Sequence, residues 1–225
     1  MDSTFGADLE SHYVEERDPS LNEGHTVLYD REVPFELRSE EAVGGGGTGE
    51  MVGCMEAIKV KILLLGDAQT VSQIRVELSS ENDLFFHFTH NMNPELYRVV
   101  QEQQKLVINF AEYPNVLIKM LNSCIRDSSS HLGVLIMQSG GTARMDFIQN
   151  MEYKFIELLS LEYGPSTEEM VRQQITYRYL MLKSRMGVLQ ERLKDVNALV
   201  KIKNPSLLLQ LQVQQSPGGR RLATK

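Results

Sequence analysis

Cysteine is scarce in this chain: its 225 residues include two, Cys54 and Cys124. Two isolated thiols are too few for a disulfide framework and are not spaced for zinc, so both are expected as reduced core or near-core side chains of a cytosolic protein. Basic residues are also in deficit, 23 against 30 acidic ones, which leaves a net charge of -7. No basic stripe interleaves with aromatics, so no nucleic-acid partner is expected. The C-terminal GGRRLATK reads as a solvated tail. No run approaches the roughly 18 apolar residues that cross a bilayer, so no membrane partner is expected either. The opening MDSTFGADLESHYVEERD is neither a secretory signal nor an Arg-rich transit peptide.

Catalytic patterns are missing as well. SEEAVGGGGTGEMVG holds four consecutive glycines, but the Lys-Ser or Lys-Thr of a phosphate-binding loop does not follow, and the stretch reads as a flexible linker. His87 and His90, three apart on an expected strand, point to opposite faces and cannot ligate one ion, which leaves ordinary surface or sheet-packing histidines. LLLGDAQ lacks the helix-opening glycine pattern of a nucleotide site, and no Ser-His-Asp or Cys-His arrangement appears. No enzyme, cofactor or metal site is expected.

What is present is a hydrophobic fraction of 42%, enough for one folded domain with appendages. Residues 1–25 are rich in Asp, Glu and Ser without an apolar period and read as a disordered acidic N-terminus. A head follows over residues 26–164. TVLYDREVPFELR alternates as a half-buried strand, and a Gly-rich loop spans 39–56. AIKVKILLL, VSQIRVELS and DLFFHFTHN read as further strands. Asn93-Pro94 opens a helix over PELYRVVQEQQ. KLVINF breaks the helical period with a compact apolar run. AEYPNVLIKMLNSCIR is a second helix, with Val116, Leu117, Met120, Leu121 and Cys124 on one face. HLGVLIMQ, ARMDFIQ and YKFIELLSLEY complete the head, the first two joined by a turn at Ser139-Gly140-Gly141. Strands, a helix pair and strands again make an α+β fold on an antiparallel sheet.

Residues 165–203 read as a helix capped by Ser166 or Thr167, with Glu168 and Glu169 at its positive end. Its apolar residues step by three and four. Tyr179, Met186, Leu193 and Val200 fill position a, and Ile175, Leu182, Leu189 and Val196 fill position d, of a coiled-coil heptad. One amphipathic helix packed on its own head is the other reading of this stripe. Residues 204–225 read as a flexible tail. One oddity remains in MDFIQNMEYKFIELLSLEYG: the hairpin carries Met151 and Tyr153 at its tip, where small polar residues are usual. These side chains either fold back over their own sheet or meet another molecule.

The order of motifs in DLFFHFTHNMNPELYRVVQEQQKLVINFAEYPNVLIKMLNSC resembles the spindle assembly abnormal protein six family, scaffold of the centriolar cartwheel. The family's aspartate-containing turn, strand, short helix ending in Gln, LLVDF-like strand and Pro-led second helix correspond to residues of this chain. They are Glu81-Asn82-Asp83, Leu84 to Phe88, Gln104, Leu106 to Phe110 and Tyr113-Pro114. The family's Asn-x-Phe-Lys hairpin tip corresponds to Met151-Glu152-Tyr153-Lys154, and the likeness covers about residues 26 to 200.

The resemblance implies a β-sandwich or barrel-like head with an inserted helix pair, followed by a parallel coiled-coil homodimer. It also implies weak head-to-head pairing in which Tyr153, flanked by Met151 and Lys154, enters a neighbouring head. The expected setting is the cytoplasmic cytoskeleton: centriole or basal body, flagellar base or apical complex, with other proteins of those structures as partners. Tyr stands where the family has Phe, so its hydroxyl needs a partner or a wet rim. The heptads stop near Val200, as in a short, spokeless branch known from flagellates and apicomplexan-type protists; a piece of a longer protein is the other explanation. Two alternatives to self-assembly stand beside this. One is an adaptor whose monomeric head and helix bind another cytoskeletal protein. The other is a DNA end-joining scaffold, which the acidic charge disfavours.

Overall fold

The structure, a computed structural model, describes residues 18–40, 53–67 and 70–203. Seven strands, β1 (Thr26–Ser39), β2 (Cys54–Asp67), β3 (Thr70–Ser80), β4 (His87–Met92), β5 (His131–Met137), β6 (Ala143–Met151) and β7 (Lys154–Pro165), form the head. Two helices, α1 (Pro94–Gln104) and α2 (Tyr113–Arg126), are inserted between β4 and β5, and α3 (Glu168–Lys203) follows β7. The described residues fall into two bodies: one runs from the start of the described chain through Tyr177, and α3 from Arg178 onward belongs to the other.

The strands close a barrel in the order β1-β2-β3-β4-β7-β6-β5. Alternation along β1, β2 and β3 sends one face inward. Val33 and Phe35 of β1, Ile58, Val60 and Ile62 of β2, and Ile74, Val76 and Leu78 of β3 are all buried. Gly133 of β5 is required by packing, since a Cβ there would lie 2.5 Å from the buried ring of Phe35. Tyr113, Leu117, Leu121 and Cys124 of α2 join the same core, and burial pushes the Cys124 thiol up to about 11.

The β4–β7 seam is short, with only Phe88↔Pro165 and Thr89↔Gly164 paired. Side chains serve the rest of that edge of β7. Nδ1 of His90 lies 2.7 Å from the carbonyl oxygen of Glu162, and because a carbonyl only accepts, Nδ1 is the donor. Gln104, at the end of α1, donates to the Ser160 carbonyl (2.7 Å) and accepts from the Ser160 N–H (2.9 Å), as a strand residue would. These contacts cover backbone groups that an open strand edge would expose.

Several expectations are corrected here. The closing β1–β5 pair is parallel, from Glu36↔Val134 to Ser39↔Met137, in an otherwise antiparallel sheet. Part of the segment expected to be disordered is folded. Pro19–Gly24 forms a 3-10 turn held by polar contacts, which an apolar period cannot reveal; residues 1–17 lie outside the described residues. Residues Leu106 to Phe110 are irregular and not a strand. Lys105 takes a left-handed backbone (φ 54°, ψ 42°) that ends α1. Tyr97 Oη and Gln101 Nε2 then both donate to the Ile108 carbonyl, at 2.8 and 2.7 Å, in place of a neighbouring strand. The strand expected from Asp83 starts at His87, because Asp83 Oδ1 accepts from the Phe85 N–H (2.9 Å) and bends the chain. The Gly-rich loop is shorter than 39–56: Ser39 ends β1 and Cys54 starts β2, while residues 41–52 lie outside the described residues. Cys54 is exposed and not near the core. The expected tail, 204–225, also lies outside the described residues.

Burial lowers the pKa of His90 below 6.5, although its bond to Glu162 opposes the shift. The unfolded chain therefore takes up this proton more readily than the folded one. Stability from the neutral ring is complete above the unfolded value of 6.5 and declines as pH falls through the lower folded value. Denaturation midpoints measured between pH 7.5 and 5 should show this decline, and His90→Gln should flatten it.

Candidate functional site

The β6–β7 hairpin changes character at a bulge between Phe147 and Ile148. On the barrel side of it, Phe147 and Leu159 are buried. Beyond it, the pairs Gln149↔Ile156, Asn150↔Phe155 and Met151↔Lys154 form an arm closed by the two-residue turn Glu152-Tyr153. Glu152 takes a positive φ of 21°, and the Tyr153 N–H is bonded to the Met151 carbonyl. The middle of the arm is pinned by the Asn150 N–H, which donates to the Ser130 carbonyl at 2.8 Å.

Tyr153 stands at the tip and is 97% exposed, so the reading in which it folds back over its own sheet is excluded. Met151 is 48% exposed, and Lys154 beside it is also exposed. Sequence reasoning missed Phe155, 62% exposed, and the exposed Ile156. Their positions read as ordinary alternation. The bulge, which skips one residue between Ile148↔Glu157 and Phe147↔Leu159, takes Phe155 out of the phase of the buried Leu159, Leu161 and Tyr163, and strand alternation then puts apolar groups on both faces of the arm: Met151 with Ile156, and Phe155 opposite Asn150.

The second apolar stripe is on α3. Thr167 supplies its cap, with Oγ1 accepting from the Met170 N–H at 3.3 Å, while Ser166 Oγ meets His87 Nδ1 at 2.7 Å instead. Of the expected seam, Tyr179, Leu182, Met186, Leu189, Leu193 and Val196 are exposed, and Ile175 and Val200 are half-buried. Leu199 and Ile202 are exposed off the seam.

The first turns of α3 belong to the head body and end in a buried polar cluster. Gln174 donates to Ser20 Oγ (2.8 Å), and Ser20 Oγ donates to Glu77 Oε2 (2.6 Å). Lys61 Nζ bonds both Asp18 Oδ2 (2.7 Å) and Ser20 Oγ (3.2 Å), and lies 6.0 Å from the centroid of the Tyr177 ring. Burial raises the Glu77 pKa, an effect that the Ser20 hydroxyl and the Lys61 ammonium partly oppose. The two histidines of β4 do not converge. His87 Nε2 is 4.0 Å from Glu77 Oε2, whereas the His90 ring packs against Tyr163. Among the described residues no group of three or more His, Cys, Asp or Glu side chains could hold a metal ion.

The cluster ties the start of α3 to the head through the Gln174–Ser20 hydrogen bond and holds a buried charge pair, Lys61 with Asp18, so its loss should be expensive. Lys61→Met leaves the buried Asp18 carboxylate without its cation and should destabilise the head by about 3–5 kcal/mol in chemical denaturation. Adding Asp18→Asn should restore part of that loss, since the two groups act as one unit.

The family described as the centriolar protein SAS N-terminal domain matches residues 27–163. Among curated proteins, the chain is 20% identical over 145 residues to the spindle assembly abnormal protein 6 homolog of Gallus gallus, covering 61% of this chain and 23% of that protein. It is 24% identical over 127 residues to the Danio rerio homolog, covering 53% and 20%. The chain thus spans about a fifth to a quarter of the length of these relatives. An N-terminal fragment of Leishmania SAS-6 that contains part of its coiled coil domain superposes with a TM-score of 0.62 at 15% identity, covering 84% of this chain and 98% of that one. The N-terminal coiled-coil dimer of C. elegans SAS-6 superposes at 0.55 and 15%, covering 78% and 98%.

Proposed function

Because the chain belongs to the family of the centriolar protein SAS N-terminal domain, we propose that it is a non-enzymatic scaffold that self-associates. The head contact is the hairpin apex, Met151, Tyr153 and Lys154 extended by Phe155, entering a second head. The other contact is a short parallel coiled coil along Ile175, Tyr179, Leu182, Met186, Leu189, Leu193, Val196 and Val200. The observation that carries this reading is the near-complete exposure of Tyr153 on an arm with apolar groups on both faces. The structural likeness to a SAS-6 coiled-coil dimer supports the second contact. The setting proposed is a microtubule-based organelle of the cytoplasm: centriole or basal body, flagellar base or apical complex, alongside other cytoskeletal proteins of those structures.

Magnitudes set the style of assembly. Burying one Tyr side chain yields about 1.5–3 kcal/mol, whereas association costs on the order of 4–15 kcal/mol in lost freedom. A one-anchor contact is therefore weak, about micromolar or poorer. Four heptads with Tyr and Met among the a positions also dimerise modestly. Joined on one chain, each contact raises the effective concentration for the other, so assembly rises steeply with protein concentration. Two isologous contacts link copies without limit unless their angle closes a ring.

Tyr153→Glu should abolish head pairing in sedimentation velocity while leaving the denaturation midpoint within about 0.5 kcal/mol of wild type, because the side chain touches almost nothing in its own head. Leu189→Asp should separate the helices and leave the head folded. A wild-type chain that stays monomeric at hundreds of micromolar would refute the proposal.

A further inference from the structure

Charge is unevenly shared along this chain. α3 carries eight basic against four acidic residues, although the net charge of the whole is -7. Lys183, Arg185, Arg192, Lys194 and Lys201 are exposed, and among the described residues none of these five is in an ion pair. The heptad sorts them: Arg185 and Arg192 occupy g, Lys183 occupies e, and Lys194 and Lys201 occupy b. In a parallel self-pair, g of one helix lies beside e of the other, and b lies just outside e. Pairing therefore gathers Arg185 and Arg192 of one copy with Lys183, Lys194 and Lys201 of the second, on each flank of the coiled coil. Of the two carboxylates beyond the first turn, Asp195 at c borders Arg192, and Glu191 at f faces away. The flank is a surface that neither copy forms alone.

An acidic segment of the same chain starts beside it. Residues 1–17 hold five carboxylates, on Asp2, Asp8, Glu10, Glu15 and Glu16, against one cation, Arg17. The point where this segment joins the head is fixed, because Asp18 is bonded to Lys61, and Ser20 to Gln174 in the second turn of α3. Seventeen extended residues reach about 55–60 Å at most, and α3 rises about 40 Å from Gln174 to Lys201. The segment is long enough to follow the basic stripe to its end.

Resting on the coiled-coil reading above, we propose that this acidic N-terminal segment is the occupant of the flank. It runs along the paired helices with its carboxylates on the cations of both copies, and it leaves the apolar seam to the self-pair. Bound in this way it is a clasp, linking the two helices and relieving the repulsion between cations that pairing brings together. Attachment at Asp18 gives it a high effective concentration, so ion pairs that are individually weak in water suffice together. The strength of the dimer is thereby set partly outside the seam.

The test compares two full chains, both carrying Tyr153→Glu so that only helix pairing is read. The second also carries Asp2→Asn, Asp8→Asn, Glu10→Gln, Glu15→Gln and Glu16→Gln. In sedimentation equilibrium at low salt the neutralised chain should dimerise about tenfold more weakly, and the gap should close in about 0.5 M NaCl. Equal or tighter pairing of the neutralised chain overturns the proposal and leaves the coiled coil standing. So does a weakening that persists alongside Lys183→Gln, Arg185→Gln, Arg192→Gln, Lys194→Gln and Lys201→Gln, since the segment then acts elsewhere. Added polyglutamate should strengthen the dimer of the neutralised chain alone; strengthening of both alike marks a flank open to another molecule and also overturns the clasp. If the chain with its carboxylates intact stays monomeric at hundreds of micromolar, the coiled coil falls and the clasp with it.

Discussion

The head depends on the seam where β4 meets β7, because a sheet of seven strands leaves two edges unless something joins them. Here the joint consists of two backbone pairings supplemented by two side chains, His90 on Glu162 and Gln104 on Ser160. With that joint made, and with β1 and β5 paired in parallel, the backbone is largely satisfied around the ring. Strand addition, a common way for sheets to associate, has little exposed edge to work on. Association then falls to side chains. Uncovered apolar groups lie on the arm beyond the bulge and along the seam of α3, and others are spread over the rest of the head, with Phe85 and Val107 the most exposed of them.

Patterns of local origin were legible in the sequence. Period-two alternation located β1, Asn93-Pro94 placed the start of α1, and the three-and-four stepping placed α3. What could not be read depended on partners remote in sequence. Leu106 to Phe110 has strand-like composition, yet side chains of α1 capture its backbone. The parallel β1–β5 pairing follows from barrel closure, which no single strand encodes. The hairpin tip stood out because grease at a turn is unusual, whereas Phe155 and Ile156 look like normal strand residues until the bulge is known.

The polar turn at Pro19–Gly24 teaches a related lesson. Low apolar content signals disorder only when nothing else can compensate the loss of chain entropy. Asp18 and Ser20 are drawn into place by Lys61, Glu77 and Gln174, which lie on three different elements. A cluster of this kind adds directionality that greasy packing lacks, because each hydrogen bond tolerates only a narrow angle.

Ser20 and Gln174 are 154 residues apart in sequence, and their bond has a consequence for the timing of synthesis. At roughly 5–20 residues per second on the ribosome, the serine waits on the order of ten seconds or more for its glutamine to be made. The head therefore cannot be finished until the beginning of the trailing helix has emerged. Neighbouring nascent chains on one messenger would meet with their heads still incomplete, while apolar surface that the finished barrel covers is open to contact.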